Sequence, residues 1–410
     1  MVSALAIVWF HCQSVAAPIA GGGPPGTWLA RTGFFAVDAL FVLSGFAQFL
    51  PFAAAFAAEG PAQPPNWRGY AVRRVLRIVP AYYVALVLSA LYVGHFSLGA
   101  GHAERVVGIW EVVIHAAFLQ HLVYGVSGQE GFGINTAMWT LTAEAAFYLA
   151  LPFVARRFLR HPLVGLGTAF AIAVGWRLFA IAHSTTTVPS TYLVSQVPGF
   201  AFHFALGMAA ALVVVRLRAL VAVSQRVARS VRPAAAFVVV WGVLVLLAWQ
   251  RAVDPAAHGF SQSYTTYDRF VWNLAPTTAF AMLVVALAVA PAWSSWPLAN
   301  PLSRWLGEAT YGTYLVHILV MREVATRWRH LGHGPFALWQ IGLMVTVEGL
   351  LLGRLSFLVV EEPARRLGRS MAARLARRTA TRSRLRPGRP PIPWSPRAES
   401  TSPAGRSGAG

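Results

Sequence analysis

"MWTLTAEAAFYLALPF" runs from Met138 to Phe153 and reads as a membrane-spanning helix, yet it carries Glu144 in its first half. A carboxylate in hydrocarbon is costly unless something pairs with it, so such residues mark functional candidates. The composition around this stretch supports the membrane reading. Of 410 residues, 56% are hydrophobic and 12% charged, about half the charge of an ordinary soluble domain. Long apolar runs recur from end to end. The chain is therefore read as an all-α polytopic membrane protein, a bundle of about ten transmembrane helices embedded in the lipid bilayer.

The ten spans are expected at residues 2–18, 34–56, 76–93, 138–155, 163–182, 199–216, 234–250, 271–291, 307–321 and 336–360. Arginine placement orients them. Thirteen arginines in the connections, among them Arg73, Arg74, Arg77, Arg156 and Arg229, fall on one side, and seven fall on the other. The richer side also receives the C-terminal tail, so both termini are expected to be cytoplasmic. The segment "IWEVVIHAAFLQHLVY" (109–124) holds Glu111, His115, Gln120 and His121 and is expected to be an outer-surface or re-entrant helix. The first span is short: 18 residues cover about 27 Å against a core of about 30 Å. No arginine precedes it, and the chain is expected to start late.

The net charge of +20 is not a nucleic-acid signal. Twelve of the 34 arginines follow Pro363. Residues 371–410 read as an Arg/Pro/Ser-rich disordered cytoplasmic tail beside the membrane, after a membrane domain over 1–370. No nucleic-acid partner is expected. The single cysteine, Cys12, excludes an intrachain disulfide.

Depth singles out four residues. His11, Asp38, Glu144 and His317 all fall within about 10 Å of the outer face at 1.5 Å per residue. If they share one cavity, a carboxylate–imidazole pair makes a general base. The plainer readings are helix–helix hydrogen bonding for the histidines and ion pairing of the carboxylates with Arg177 or Arg354. Ser44 in "VLSGF" reads as a small packing residue beside Gly45. Scattered histidines such as His330 and His333 lack further ligands, so no metal site is expected. No nucleophile elbow or phosphate-binding loop is present. On the inner side, "VRRVLRIVPAYY" puts Arg73, Arg74 and Arg77 on one turn of helix, where guanidinium groups can clamp a phosphate.

Six motifs in order resemble the acyltransferase-3 family of integral-membrane acyltransferases. They are "ALAIVWFH" (4–11), "GFFAVDALFVLSGF" (33–46), "RRVLRIVPAYY" (73–83), "WTLTAEAAFYLALPF" (139–153), "LGEATYGTYLVH" (306–317) and "VEEPARR" (360–366). The resemblance implies a multi-pass protein of the cell membrane. It implies transfer of an acyl group, commonly acetyl, from acyl-CoA as co-substrate to a hydroxyl of a cell-surface glycan or a glycosylated small molecule. His11 matches the family's first-helix histidine, Arg74 and Arg77 its Arg-x-x-Arg motif, and Glu144 its glutamate. Two departures stand out: the family's arginine eleven positions before the histidine would precede Met1, and Ala145 replaces a second glutamate. On this reading His11 is the general base, Glu144 or Asp38 orients its ring, and Arg73, Arg74 and Arg77 bind the CoA phosphates. The rival reading is a proton-coupled transporter, since intramembrane histidines and carboxylates also relay protons. A third is a catalytically inactive family member that binds glycan.

Overall fold

The computed structural model describes residues 1–16, 27–59, 67–99, 108–123, 134–183, 185, 190–252, 266–334 and 337–384. The α-helices among them are α1 (Val2–Cys12), α2 (Thr27–Arg31), α3 (Ala36–Glu59), α4 (Trp67–Gly99), α5 (Ile109–Ala116) and α6 (Trp139–Arg160). Next come α7 (Pro162–Ala182), α8 (Ser190–Val194), α9 (Ala201–Val223), α10 (Gln225–Ala252) and α11 (Thr266–Val289). The chain closes with α12 (Ala292–Ala299), α13 (Pro301–His330), α14 (Leu338–Ser356), a π-turn over Phe357–Glu361, and α15 (Glu362–Arg384). The described residues contain no β-strand.

Among the described residues, seven segments are long and apolar enough to cross a membrane: Gly33–Ala58, Trp67–Val93, Thr136–Arg160, Pro162–Ala182, Val197–Val223, Gln225–Ala252 and Leu338–Leu375. The other three of the ten expected spans differ from these seven in length, shape or composition. The span expected at 271–291 is carried by α11 as far as Val289, and the chain then turns at Pro291, where Leu274–Val289 and Ala292–Ala299 meet at 110°. Proline supplies no N–H to carry the helix through. The first expected span is a helix of 11 residues, about 16 Å long and half a hydrocarbon core. The ninth lies within the 30 residues of α13; Arg304, Glu308 and Arg322 near its ends keep it out of the apolar set, while its middle turns are buried by other helices. The expected surface helix at 109–124 is an 8-residue helix, α5, too short to span, followed by a turn with Phe118 at φ 60°.

Local sequence sets the helix starts. Asn300 accepts from the Ser303 amide at 2.8 Å with Pro301 at the first helical position, the standard way to satisfy free N–H groups. Asn135 does the same at the entry to α6, accepting from the Ala137 amide at 3.1 Å. Glycine decides how close two helices come. A Cβ on Gly207 would strike the Val42 carbonyl oxygen, and one on Gly45 would strike that of Phe204. So α3 and α9 cross backbone to backbone, as small-residue crossings allow in membranes. At the α13–α14 crossing, Thr313 Oγ1 donates to the carbonyls of Ala309 (2.9 Å) and Gly349 (3.0 Å).

α15 folds back along the start of α4, where Gly368 sits against Leu76. It runs to Arg384. Residues 385–410 of the expected tail lie outside the described residues.

Candidate active site

His11 falls on the face of α1 that also buries Ala4, Ile7 and Val8. Trp9 anchors this short helix by donating its indole N–H to Thr346 Oγ1 on α14 at 3.1 Å. His11 then meets α13. Its Nδ1 lies 2.9 Å from Nε2 of His317, the rings stacked at 22° with centroids 5.1 Å apart. His317 Nδ1 lies 2.7 Å from the Tyr314 carbonyl oxygen. A carbonyl only accepts, so His317 Nδ1 carries its proton and, in the neutral ring, Nε2 holds a lone pair. His11 Nδ1 must then be the donor to it. That leaves His11 Nε2 with an unprotonated lone pair. His317 is fully buried, whereas His11 is half-buried. The free lone pair thus lies on the less buried ring of the two, with His317 behind it.

Neither carboxylate expected to orient His11 touches it. Asp38 Oδ1 instead accepts from His203 Nε2 at 2.8 Å, with the two side chains 4% and 0% exposed. Phe41 and Phe200 stand edge-on around the His203 ring. Arg177, also buried, donates to the Gly199 carbonyl at 3.4 Å and interacts electrostatically with Asp38. One of the plainer readings, an Asp38–Arg177 association, is present, but the direct partner is His203. The sequence reading missed His203. Its only signal is an imidazole in the apolar run "AFHFALGM" of α9.

Glu144 has hydroxyl partners. Ser44 Oγ donates to Oε1 at 2.6 Å and Tyr148 Oη to Oε2 at 2.8 Å. Tyr148 lies four residues on, the spacing at which helix side chains face one another. Ser44 is therefore more than a packing residue, while Gly45 makes the close approach. Arg354, the other candidate ion partner, is taken by Glu308 on α13.

The three clusters are linked along α13. Tyr311, Tyr314 and His317 follow one another over about 9 Å of helix. Tyr311 Oη donates to the Ile78 carbonyl on α4 at 3.1 Å and lies in the field of Glu144, Tyr148 and Glu361. Tyr314 Oη donates to the Ala137 carbonyl at 2.9 Å, so the 2.7 Å contact with Thr140 Oγ1 has threonine as donor. Thr140 precedes Glu144 by one turn on α6. A polar strip thus runs from Arg74 and Arg77, whose charges reach Tyr148, past Glu144 and Tyr314 to the two histidines.

Arg73 and Arg77 are exposed and Arg74 is half-buried. No carboxylate comes within ion-pair distance of these three among the described residues. By contrast, Arg365, Arg366 and Arg369 all pair with Glu362. His121, whose ring packs on Trp139, lies against Ser195, its Nε2 3.0 Å from the carbonyl oxygen. Burial pushes this ring down to about 4, so it is a neutral donor rather than a base. A groove of about 460 Å³ between α9, α10 and α11, lined by Leu206, Val213, Val238 and Met282, shares no residue with the polar strip.

The family model described as "Acyltransferase domain" matches residues 1–352. The chain is 27% identical over 367 residues to Nodulation protein 10 of Rhizobium leguminosarum bv. viciae, covering 85% of this chain and 87% of that one. It is 26% identical over 360 residues to the putative peptidoglycan O-acetyltransferase YrhL of Bacillus subtilis (strain 168). That match covers 84% of this chain and 53% of the relative, so the chain spans about half the length of that protein. No solved structure matches.

Proposed function

This chain belongs to the Acyltransferase domain family of membrane acyltransferases, and from that premise we propose that it moves an acetyl or similar acyl group from cytoplasmic acyl-CoA to a glycan hydroxyl. The observation that carries this reading is the hydrogen-bonded series His11–His317–Tyr314, which fixes a base with its lone pair on the reachable ring. Likeness to a relative named as a peptidoglycan O-acetyltransferase supports a glycan acceptor. The arginines of α4 lie on the side of the bundle read as cytoplasmic, which fits a donor made in the cytoplasm and a protein seated in the cell membrane.

The reaction then proceeds directly between the two substrates. Arg74 and Arg77 hold donor phosphates, with Arg73 alongside. The thioester reaches along the polar strip towards His11. His11 Nε2 takes the proton of the acceptor hydroxyl, and the oxygen attacks the thioester carbonyl. The imidazolium that forms keeps its Nδ1–H on His317 Nε2, which stabilises it. Collapse of the tetrahedral intermediate breaks the C–S bond, and His11 returns the proton to the departing thiolate. Holding both substrates in one cavity supplies much of the rate. On this reading the His11–His317 pair serves acyl transfer rather than proton-coupled transport.

The test uses purified protein in nanodiscs with acetyl-CoA carrying a labelled acetyl group and peptidoglycan fragments or chitooligosaccharides as acceptors. Base-labile label on the glycan is the expected result. Proton flux in proteoliposomes without any acyl transfer would overturn the reading.

A further inference from the structure

Tyr70 stands one turn before Arg74 on α4, in the stretch that carries the arginine cluster. It is 5% exposed and wedged against Phe52 and Trp67, with ring centroids 5.5 and 5.9 Å away. The Arg74 guanidinium lies 5.7 Å from its ring centroid. Two polar atoms here are buried and lack any hydrogen-bond partner among the described residues: Tyr70 Oη and Arg74 Nε. A buried tyrosine hydroxyl ordinarily finds a partner, and an orphan in a native structure calls for an explanation. These two orphans are neighbours, and both offer N–H or O–H donors. Around them stand the guanidinium groups of Arg73, Arg74 and Arg77, with no carboxylate in ion-pair distance among the described residues. A metal ion does not fit among cations. An oxyanion does: it would accept from both orphans and relieve the repulsion between like charges on one turn.

We propose that Tyr70 completes a phosphate site, its hydroxyl donating to a phosphate oxygen that Arg74 and Arg77 also hold. The proposal deepens the donor reading of the arginine cluster and rests on it where the phosphate is that of acyl-CoA. An anionic phospholipid headgroup presents the same chemistry at the same depth. The ring has its own part, since the guanidinium lies over its face as a cation–π pair.

The experiment compares wild type, Tyr70→Phe and Arg74→Lys in phosphatidylcholine nanodiscs. Tyr70→Phe keeps the ring and removes only the hydroxyl. Arg74→Lys keeps the charge and removes Nε. KM is measured for acetyl-CoA and for acetyl-N-acetylcysteamine, a thioester without phosphates. A donor-phosphate site raises the KM for acetyl-CoA about ten-fold in each variant, as for a lost bond to a charged group, and leaves that of the truncated thioester unchanged. A lipid-phosphate site leaves both KM values alone, but each variant loses phosphatidylglycerol retained in native mass spectra. Unchanged KM and unchanged lipid retention in Tyr70→Phe overturn the proposal. If Arg74→Ala still raises the KM for acetyl-CoA in that case, the donor reading survives and only the role of Tyr70 fails.

Discussion

His11 gives its Nδ1 proton to Nε2 of His317 across 2.9 Å, and His317 in turn is tied to the Tyr314 carbonyl at 2.7 Å. An imidazole occupies the orienting position in which an acid was expected. Removing the base costs about 10²–10⁴ in rate, so His11→Ala and His11→Gln should each lose at least about a hundred-fold in kcat while purifying as folded monodisperse protein. Retention of most activity by His11→Gln would make His11 a packing residue. His317→Leu removes the acceptor that sets the His11 tautomer. It should lower kcat and displace the acidic limb of the pH–rate profile, whereas His317→Gln, which can still accept, should recover part of the loss. A His317→Leu enzyme with an unmoved pH profile contradicts the positioning role.

On the proposed reading the arginine cluster acts on the donor alone. Arg77→Ala should raise the KM for acetyl-CoA more than that for the acceptor, because the lost phosphate bonds serve only the donor. Equal changes in the two KM values, or none, leave the arginines as topology signals.

Glu144 is held by two hydroxyls rather than by a base. Ser44→Ala and Tyr148→Phe each remove one of them and leave the carboxylate under-bonded, at a cost of about 1–3 kcal/mol. Each should lower Tm, and the double variant should lower it further, with kcat per folded molecule changing less than in His11→Gln. A loss of kcat as large as that of His11→Gln at an unchanged Tm would place Glu144 in the chemistry instead.

His121 gives a pH signature away from the site. Its folded value of about 4 lies below the roughly 6.5 of an unfolded histidine. The neutral ring therefore contributes stability fully above about pH 6.5, and that contribution fades as pH falls towards 4. Melting curves from pH 7.5 to 4.5 should show a steeper loss for wild type than for His121→Gln, which has no titrating group. Parallel curves would mean that the ring is open to water.

The helical bundle and the candidate histidine were legible because both are written in single segments. Apolar runs fix spans, and an imidazole at the end of "ALAIVWFH" is conspicuous. The partners were not legible, because they depend on rotation about helix axes. Depth placed Asp38, Glu144, His11 and His317 at one level, but depth says nothing about direction. Asp38 faces α9, Glu144 faces α3, and only His317 faces α1. His203 was lost for the opposite reason, since one imidazole in an apolar helix has no spacing that marks it. The turn at Pro291 also escaped, since hydropathy marks where a span ends but not how the chain leaves it.

Asp38 and His203 provide the sharpest separation of structure from chemistry. The pair is buried almost completely, with Arg177 in its field, and it joins α3 to α9 beside the crossing at Gly45 and Gly207. Removing one partner of a buried charged pair leaves the other uncompensated, at a cost of about 3–5 kcal/mol. His203→Leu should therefore cut the folded yield in membranes and lower Tm by many degrees, and Asp38→Asn should do so less, because the amide oxygen can still accept from Nε2. The double variant Asp38→Leu/His203→Leu removes both polar groups and should recover part of the lost stability, a non-additive result that only directly coupled residues give. The molecules that do fold should transfer acyl groups within a few-fold of wild type, since neither side chain touches His11. If Asp38→Asn instead folds with normal Tm and loses a hundred-fold in kcat, the carboxylate belongs to the reaction, as first expected from its depth.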